Sequence, residues 1–155
     1  MSRWPVGEIV IEGMIERREI EIVEASREHA DLLMHQAEGH LLSAGPLTHT
    51  DPPSAFALLY DGTRKAMTAI LARQGLRPTR AGGHLAVQEA IEAQLGPNAK
   101  VVVRPFRALR RRRHESEYPS IGDPPVTEVE AVEGLDDARA IVEAMGRLLP
   151  RLGPW

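Results

Sequence analysis

Apolar residues recur along this chain at intervals of three and four, the period of helices that each bury one face. The plainest case is Ala30, Leu33, Ala37 and Leu41, preceded by Ser26 as an N-cap with Glu28 in the first turn and stopped at Ser43-Ala-Gly-Pro. Asp51-Pro-Pro-Ser then sets a capping side chain ahead of proline in the tolerated first turn, and Ala55, Leu58, Leu59, Met67, Ile70 and Leu71 continue a helix that Gly75 and Pro78 close. After a loop from Arg77 to Gly83, Val87, Ile91 and Leu95 predict a shorter helix that begins at His84 and ends at Gly96-Pro97. Thr127 and Glu130 form a capping box for a last helix carrying Leu135, Ala138, Ile141, Val142, Met145, Leu148 and Leu149.

Two stretches are less plain. Glu8 to Arg17 holds Ile9, Val10, Ile11, Met14 and Ile15 in a mixed pattern read as a short helix, while the alternation Glu19-Ile20-Glu21-Ile22 suits a strand equally well. In Lys100 to Glu117, Pro105 either begins a helix or kinks one, and no breaker follows until Tyr118-Pro119. Ser120 to Pro125 is turn-rich. The expected fold is all-α, an up-and-down bundle of four to five helices in one domain over residues 1–155, with 1–20 as an N-terminal extension and 119–126 as a linker to the last helix.

Composition agrees with a helical core and narrows the function. Of 155 residues, 43% are hydrophobic and only 4% aromatic, so Leu, Ile, Val, Ala and Met must fill the interior. The absence of cysteine excludes a disulfide framework and thiolate metal or redox sites. No apolar run approaches the roughly 20 residues of a membrane helix, and the opening Met1-Ser-Arg-Trp-Pro-Val-Gly-Glu lacks the features of a signal peptide, so a cytoplasmic protein without a membrane role is expected.

The formal net charge of -3 conceals an asymmetry, because Arg104, Arg107, Arg110, Arg111, Arg112 and Arg113 gather six of 19 basic residues in one stretch. Acidic residues concentrate in Glu8 to Glu28 and Glu128 to Glu143. On a helix, Arg107, Arg111 and His114 share a face at spacings of four and three, with Arg110 beside them. Guanidinium groups hold a phosphate and stabilise its added charge, and an imidazole moves protons near neutral pH, which is the chemistry of metal-free RNA cleavage. A run of arginines is also what a solvated face paired with acidic neighbours looks like.

The remaining candidates are weaker. His84 after Gly82-Gly83 reads as a helix-start residue that caps or packs rather than as an anion contact. His35, Glu38 and His40 lack the four-residue histidine spacing of a helical metal site, and no metal or cofactor is expected. Tyr60 with Arg64 and Asp61 with Lys65 are four apart, as local helix pairs, and a buried polar contact from this cluster to the basic helix is expected. No phosphate-binding glycine loop or serine-centred triad is present in the sequence.

Three segments carry a family resemblance: Ala55-Phe-Ala-Leu-Leu-Tyr-Asp-Gly-Thr-Arg-Lys-Ala, Leu76-Arg-Pro-Thr-Arg-Ala-Gly-Gly-His84, and Phe106-Arg-Ala-Leu-Arg-Arg-Arg-Arg-His-Glu-Ser-Glu-Tyr118-Pro. Over roughly residues 20 to 150 the chain resembles the HEPN superfamily, small helical domains found as ribonuclease toxins, in antiviral systems and as partners of nucleotidyltransferases. The family motif is an arginine, roughly four to six residues and a histidine. Arg107 and His114, with six residues between them, match its longest form, although Ala108 stands where a polar residue is usual. The resemblance implies a homodimer whose motif helices face each other across a composite cleft. It also implies Arg107 and His114 as the catalytic pair, Arg104, Arg110, Arg111 and Arg113 as RNA and phosphate contacts, and Tyr118 and Glu117 in support. Two function classes are therefore expected: a metal-independent endoribonuclease, or a non-catalytic adaptor binding a nucleotide, an antitoxin or a nucleotidyltransferase.

Overall fold

The computed structural model describes residues 4–155, so Met1, Ser2 and Arg3, part of the opening read for a signal peptide, lie outside the described residues. The chain forms α1 (Glu8–Glu16), β1 (Ile20–Ile22), α2 (Arg27–Thr50), α3 (Pro52–Gln74), β2 (Leu76–Pro78), α4 (Gly83–Gln94), α5 (Pro97–Val103), α6 (Phe106–Glu117) and α7 (Glu128–Leu148), followed by a 3-10 turn over Leu149–Arg151. It is an all-α bundle with more helices than the four to five expected: the short N-terminal helix forms as read, and the residues before Pro105 add a helix of their own.

α2, α3 and α7 make the bundle proper. Ser26 caps α2 by accepting from the His29 N–H at 3.0 Å, and Thr127 and Glu130 form the full reciprocal capping box of α7. α2 does not stop at Ser43-Ala-Gly-Pro: it continues through Pro46 to Thr50. Proline removes one backbone donor, but Thr48 is buried and its hydroxyl donates to the Gly45 carbonyl at 2.7 Å, and the last turn keeps a packed face. Asp51 then caps α3, accepting from the Ser54 N–H at 3.4 Å. A Cβ on Gly62 would stand 3.0 Å from the Ala37 carbonyl oxygen, so glycine sets how closely α3 crosses α2. Gly134 of α7 likewise admits Phe56, Leu59 and Leu109, whose atoms would meet a Cβ at 3.1 to 3.5 Å.

The ambiguous N-terminal pattern resolves into both of its readings. Ile11 and Met14 of α1 are fully buried, whereas Ile9 points to solvent, and a left-handed Arg18 (φ 59°) turns the chain into β1. β1 pairs antiparallel with β2, Ile20 opposite Pro78 and Ile22 opposite Leu76, in the segment expected to be loop. Gly75 ends α3 in the left-handed region, φ 73°, where any Cβ would meet the Val23 carbonyl oxygen at 2.6 Å. This clip ties the first 25 residues to the α3–α4 connection, and buried side chains from Ile11 to Leu152 belong to one cluster.

A buried amide pair fixes α4 against α3. Gln74 Nε2 donates to Gln94 Oε1 at 2.6 Å and Gln94 Nε2 donates to Gln74 Oε1 at 3.1 Å. The chain's two tryptophans close over it: the Trp4 indole donates to the Gln94 carbonyl at 3.0 Å, and the Trp155 backbone N–H donates to the Gln74 carbonyl at 2.7 Å. Held this way, α4 stands beside α6 with a groove between them.

Candidate functional site: a cationic groove between α4 and α6

Pro105 begins α6 rather than kinking it, since its missing N–H lies where a helix start leaves donors unused. α6 buries only Phe106 and Leu109, so the rest of its surface is free to carry charge. Phe106 stacks on the Tyr60 ring, centroids 5.5 Å apart and 15° between planes, and Tyr60 is itself 1% exposed. That aromatic pair sets α6 on α3 and forms the back wall of the groove.

The groove is open, about 900 Å³, and its lining includes Tyr60, His84, Gln88, Arg107, Arg110, Arg111, Arg113 and His114. The expected pair Arg107 and His114 is therefore brought together with three of the four expected phosphate contacts. Arg104 stands apart, in an adjoining hollow of about 490 Å³ that also contains Lys100 and shares Arg107 and Glu89 with the groove. Arg112 faces away and clasps Glu130 of the α7 capping box at 2.9 Å. Glu117 lies 3.8 Å from Arg113, and the ring of the exposed Tyr118 lies 5.1 Å from that of His114.

The arginines differ in their freedom. Arg107 makes a two-pronged contact with Glu92 of α4, at 2.9 and 3.4 Å. Burial opposes ionisation of Glu92, yet hydrogen bonds from Arg107 and Gln88 outweigh it and hold its carboxyl below the usual range. Among the described residues, Arg104, Arg110 and Arg111 enter no ion pair. The Nε atoms of Arg110 and Arg113 are shut off from solvent without a hydrogen bond. Arg113 is otherwise placed by the Tyr60 ring, its guanidinium carbon 5.5 Å from the centroid. That stacking joins the cluster of Tyr60, Asp61, Arg64 and Lys65 to the basic helix through a ring face, where a buried polar contact was expected. Arg64 pairs with Asp61 at 2.9 Å, and Asp61 also takes Lys65 at 3.5 Å and His40 at 3.2 Å.

His84 is the residue that sequence reasoning set aside. It stands at the groove rim as the second residue of α4, and its Nδ1 lies 2.9 Å from the Tyr60 hydroxyl. Partial burial of the ring, and then the charges of Arg64, Arg113 and Arg110, depress its pKa below the ordinary histidine value. Burial and the nearby Asp61 raise that of Tyr60, against the pull of the same arginines. A proline- and glycine-flanked loop gave no hint that the chain folds His84 back onto Tyr60; the clip of β1 on β2 does this, with Gly82 so close to Glu19 that a Cβ would meet its carbonyl oxygen at 2.2 Å.

The groove thus gathers fixed cations, two histidines and a tyrosine, a set suited to binding a polyanion and moving protons on it without a metal. Among the described residues no group of three His, Asp or Glu side chains is placed to hold a metal ion, and no helix is long and apolar enough to cross a membrane. No family model, no curated protein and no solved structure matches the chain, so the groove's chemistry rests on its own geometry.

Proposed function

We propose that the protein is a metal-independent endoribonuclease of the HEPN type, acting on RNA bound in the α4–α6 groove. The observation that supports it most is that His114 and four arginines, 107, 110, 111 and 113, line one open groove. In this reading Arg107 contacts the scissile phosphate, Arg110 and Arg111 hold flanking phosphates, and His114 acts in proton transfer. Arg107 must leave Glu92 to do so, and solvent screens an exposed ion pair of this kind, so Glu92 holds it only weakly. The 2′-hydroxyl is the nucleophile, so DNA is not cut.

The active form is a homodimer with the grooves of two copies facing each other. Exposed apolar side chains at the groove and just beyond α6, Leu85, Tyr118 and Ile121, give a second copy a surface to cover. One observation favours the adaptor reading instead: the motif arginine is already occupied by Glu92, as it would be if α6 served only as a surface for an antitoxin or a nucleotidyltransferase.

Incubation of the purified protein with RNA in chelator tests the two. Cleavage by the wild type that falls by two or more orders of magnitude in a folded His114→Ala variant supports the ribonuclease. Equal cleavage by both proteins sinks it, and no cleavage by either, with RNA or partner binding retained, leaves the adaptor.

A further inference from the structure

Metal-free cleavage of RNA needs two proton transfers: one group must accept the proton of the 2′-hydroxyl, and another must give a proton to the departing 5′-oxygen. His114 fills one of these roles. Resting on the ribonuclease reading, we propose that His84, tethered by the Tyr60 hydroxyl, is the second proton-transfer group of the groove and accepts the 2′-hydroxyl proton while His114 protonates the leaving oxygen.

The geometry is specific. Tyr60 is held rigidly, 1% exposed and stacked on Phe106 at 5.5 Å, so its hydroxyl is a fixed point. It meets His84 at Nδ1, 2.9 Å away, and among the described residues Nε2 has no hydrogen-bond partner. The proposed role requires the tautomer in which Nδ1–H donates to the tyrosine oxygen and leaves the lone pair on Nε2, and His84 lines the same groove as His114. The charged groups facing His84 are Arg64 and Asp61 from α3 and Arg110 and Arg113 from α6. Partial burial of the ring first, then the three cations among these four and the positive end of α4, disfavour its charged form, so the neutral, proton-accepting form prevails at neutral pH.

The step balances within the protein and its substrate. The 2′ O–H bond breaks as its proton passes to His84 Nε2, and the oxygen's electron pair forms a bond to phosphorus. The bond from phosphorus to the 5′-oxygen breaks with its pair on that oxygen, which takes a proton delivered by His114. A 2′,3′-cyclic phosphate and a 5′-hydroxyl result. Proton exchange with water then returns both histidines to their starting forms.

The test is the pH dependence of cleavage of a single-stranded RNA oligonucleotide in chelator. The wild type should show an acid limb in which the rate rises with pH as His84 loses its proton. His84→Gln should lower the neutral-pH rate about a hundredfold or more and abolish the acid limb. Tyr60→Phe, which keeps the ring stacked on Phe106, should move that limb along the pH axis without removing it. Wild-type rates in His84→Gln, or a lower rate with the acid limb in place, overturn the assignment while leaving the ribonuclease intact. A wild type that cleaves no RNA overturns both together.

Discussion

α3 has two sides of opposite character. Toward α2 and α7 it presents Gly62 and Leu59, with backbones close enough that a Cβ on Gly62 would touch α2. Toward α4 and α6 it presents Tyr60 and Gln74, and the interface is made of stacked rings, an amide pair and guanidinium groups. The first interface leaves little room to vary. The second retains polar atoms shut away without hydrogen bonds, Gln88 Oε1 and the Nε atoms of Arg110 and Arg113, and each such group costs roughly 1–3 kcal/mol. The two sides of α3 therefore differ in how fully their polar atoms are satisfied.

Truncating one large side chain on each side breaks the comparison most sharply. Phe106→Ala should lower the unfolding free energy by about 3–5 kcal/mol, and Leu59→Ala by about 2–5 kcal/mol, in urea denaturation. The two should differ in function. Phe106 carries Tyr60, and through it Arg113 and His84, so its loss should weaken RNA binding by the folded protein as well. Leu59 lies toward Gly134 of α7, and its loss should leave the affinity of the folded fraction unchanged. Equal effects on RNA binding would erase the distinction between the interfaces.

Charge substitution sharpens the same contrast at lower cost to the fold. Arg111 is exposed in the groove and without an ion pair among the described residues, whereas Arg147 on α7 is exposed and paired with Glu143 at 2.6 Å. Arg111→Ala should weaken binding of single-stranded RNA and reduce the slope of log affinity against log salt by about 0.7, the value for a single phosphate no longer neutralised. Arg147→Ala should change neither. The expected effect on stability is within about 0.5 kcal/mol for both. Identical salt slopes in wild type and Arg111→Ala would remove Arg111 from the phosphate track.

Much of the bundle was legible because helix signals are local. The caps at Ser26, Asp51 and Thr127 and the stop at Gly75 act within four residues of themselves, and each stands where the sequence put it. The convergence of Arg107, Arg110, Arg111 and His114 followed from helical spacing alone. What the sequence concealed depends on contacts between distant segments. The β1–β2 clip joins residues 56 apart where Glu21 meets Arg77 at 2.8 Å, and Pro46 is tolerated in α2 because the turn beyond it packs. His84 became part of the groove, and Glu92 the partner of Arg107, through the placement of α4, which the Gln74–Gln94 pair secures and no periodicity records.

The smallest effect concerns pH and distinguishes the groove from the bundle by titration. The folded pKa of His84 is depressed, by partial burial of its ring first and then by Arg64, Arg113 and Arg110, below the value near 6.5 of an unfolded chain. As pH falls, the unfolded chain takes up this proton before the folded protein does, so the contribution is fully present above about pH 6.5 and is lost as pH falls through the folded value. Asp61 and Glu130 are also depressed: burial pushes Asp61 up, but Arg64, Lys65 and His40 together outweigh it, and Glu130 is held down chiefly by Arg112. They lose their contributions only in the carboxylate range near pH 4, which keeps the two windows apart. Solvent reaches the His84 ring and screens the arginine charges, so the loss as pH falls below about 6.5 should be slight beside the two effects above. It should appear as a lower urea midpoint in the wild type and shrink in His84→Gln, whose side chain does not titrate. A midpoint equally pH-dependent in both proteins would place the sensitivity outside the groove and leave His84 without the electrostatic environment that makes it a base.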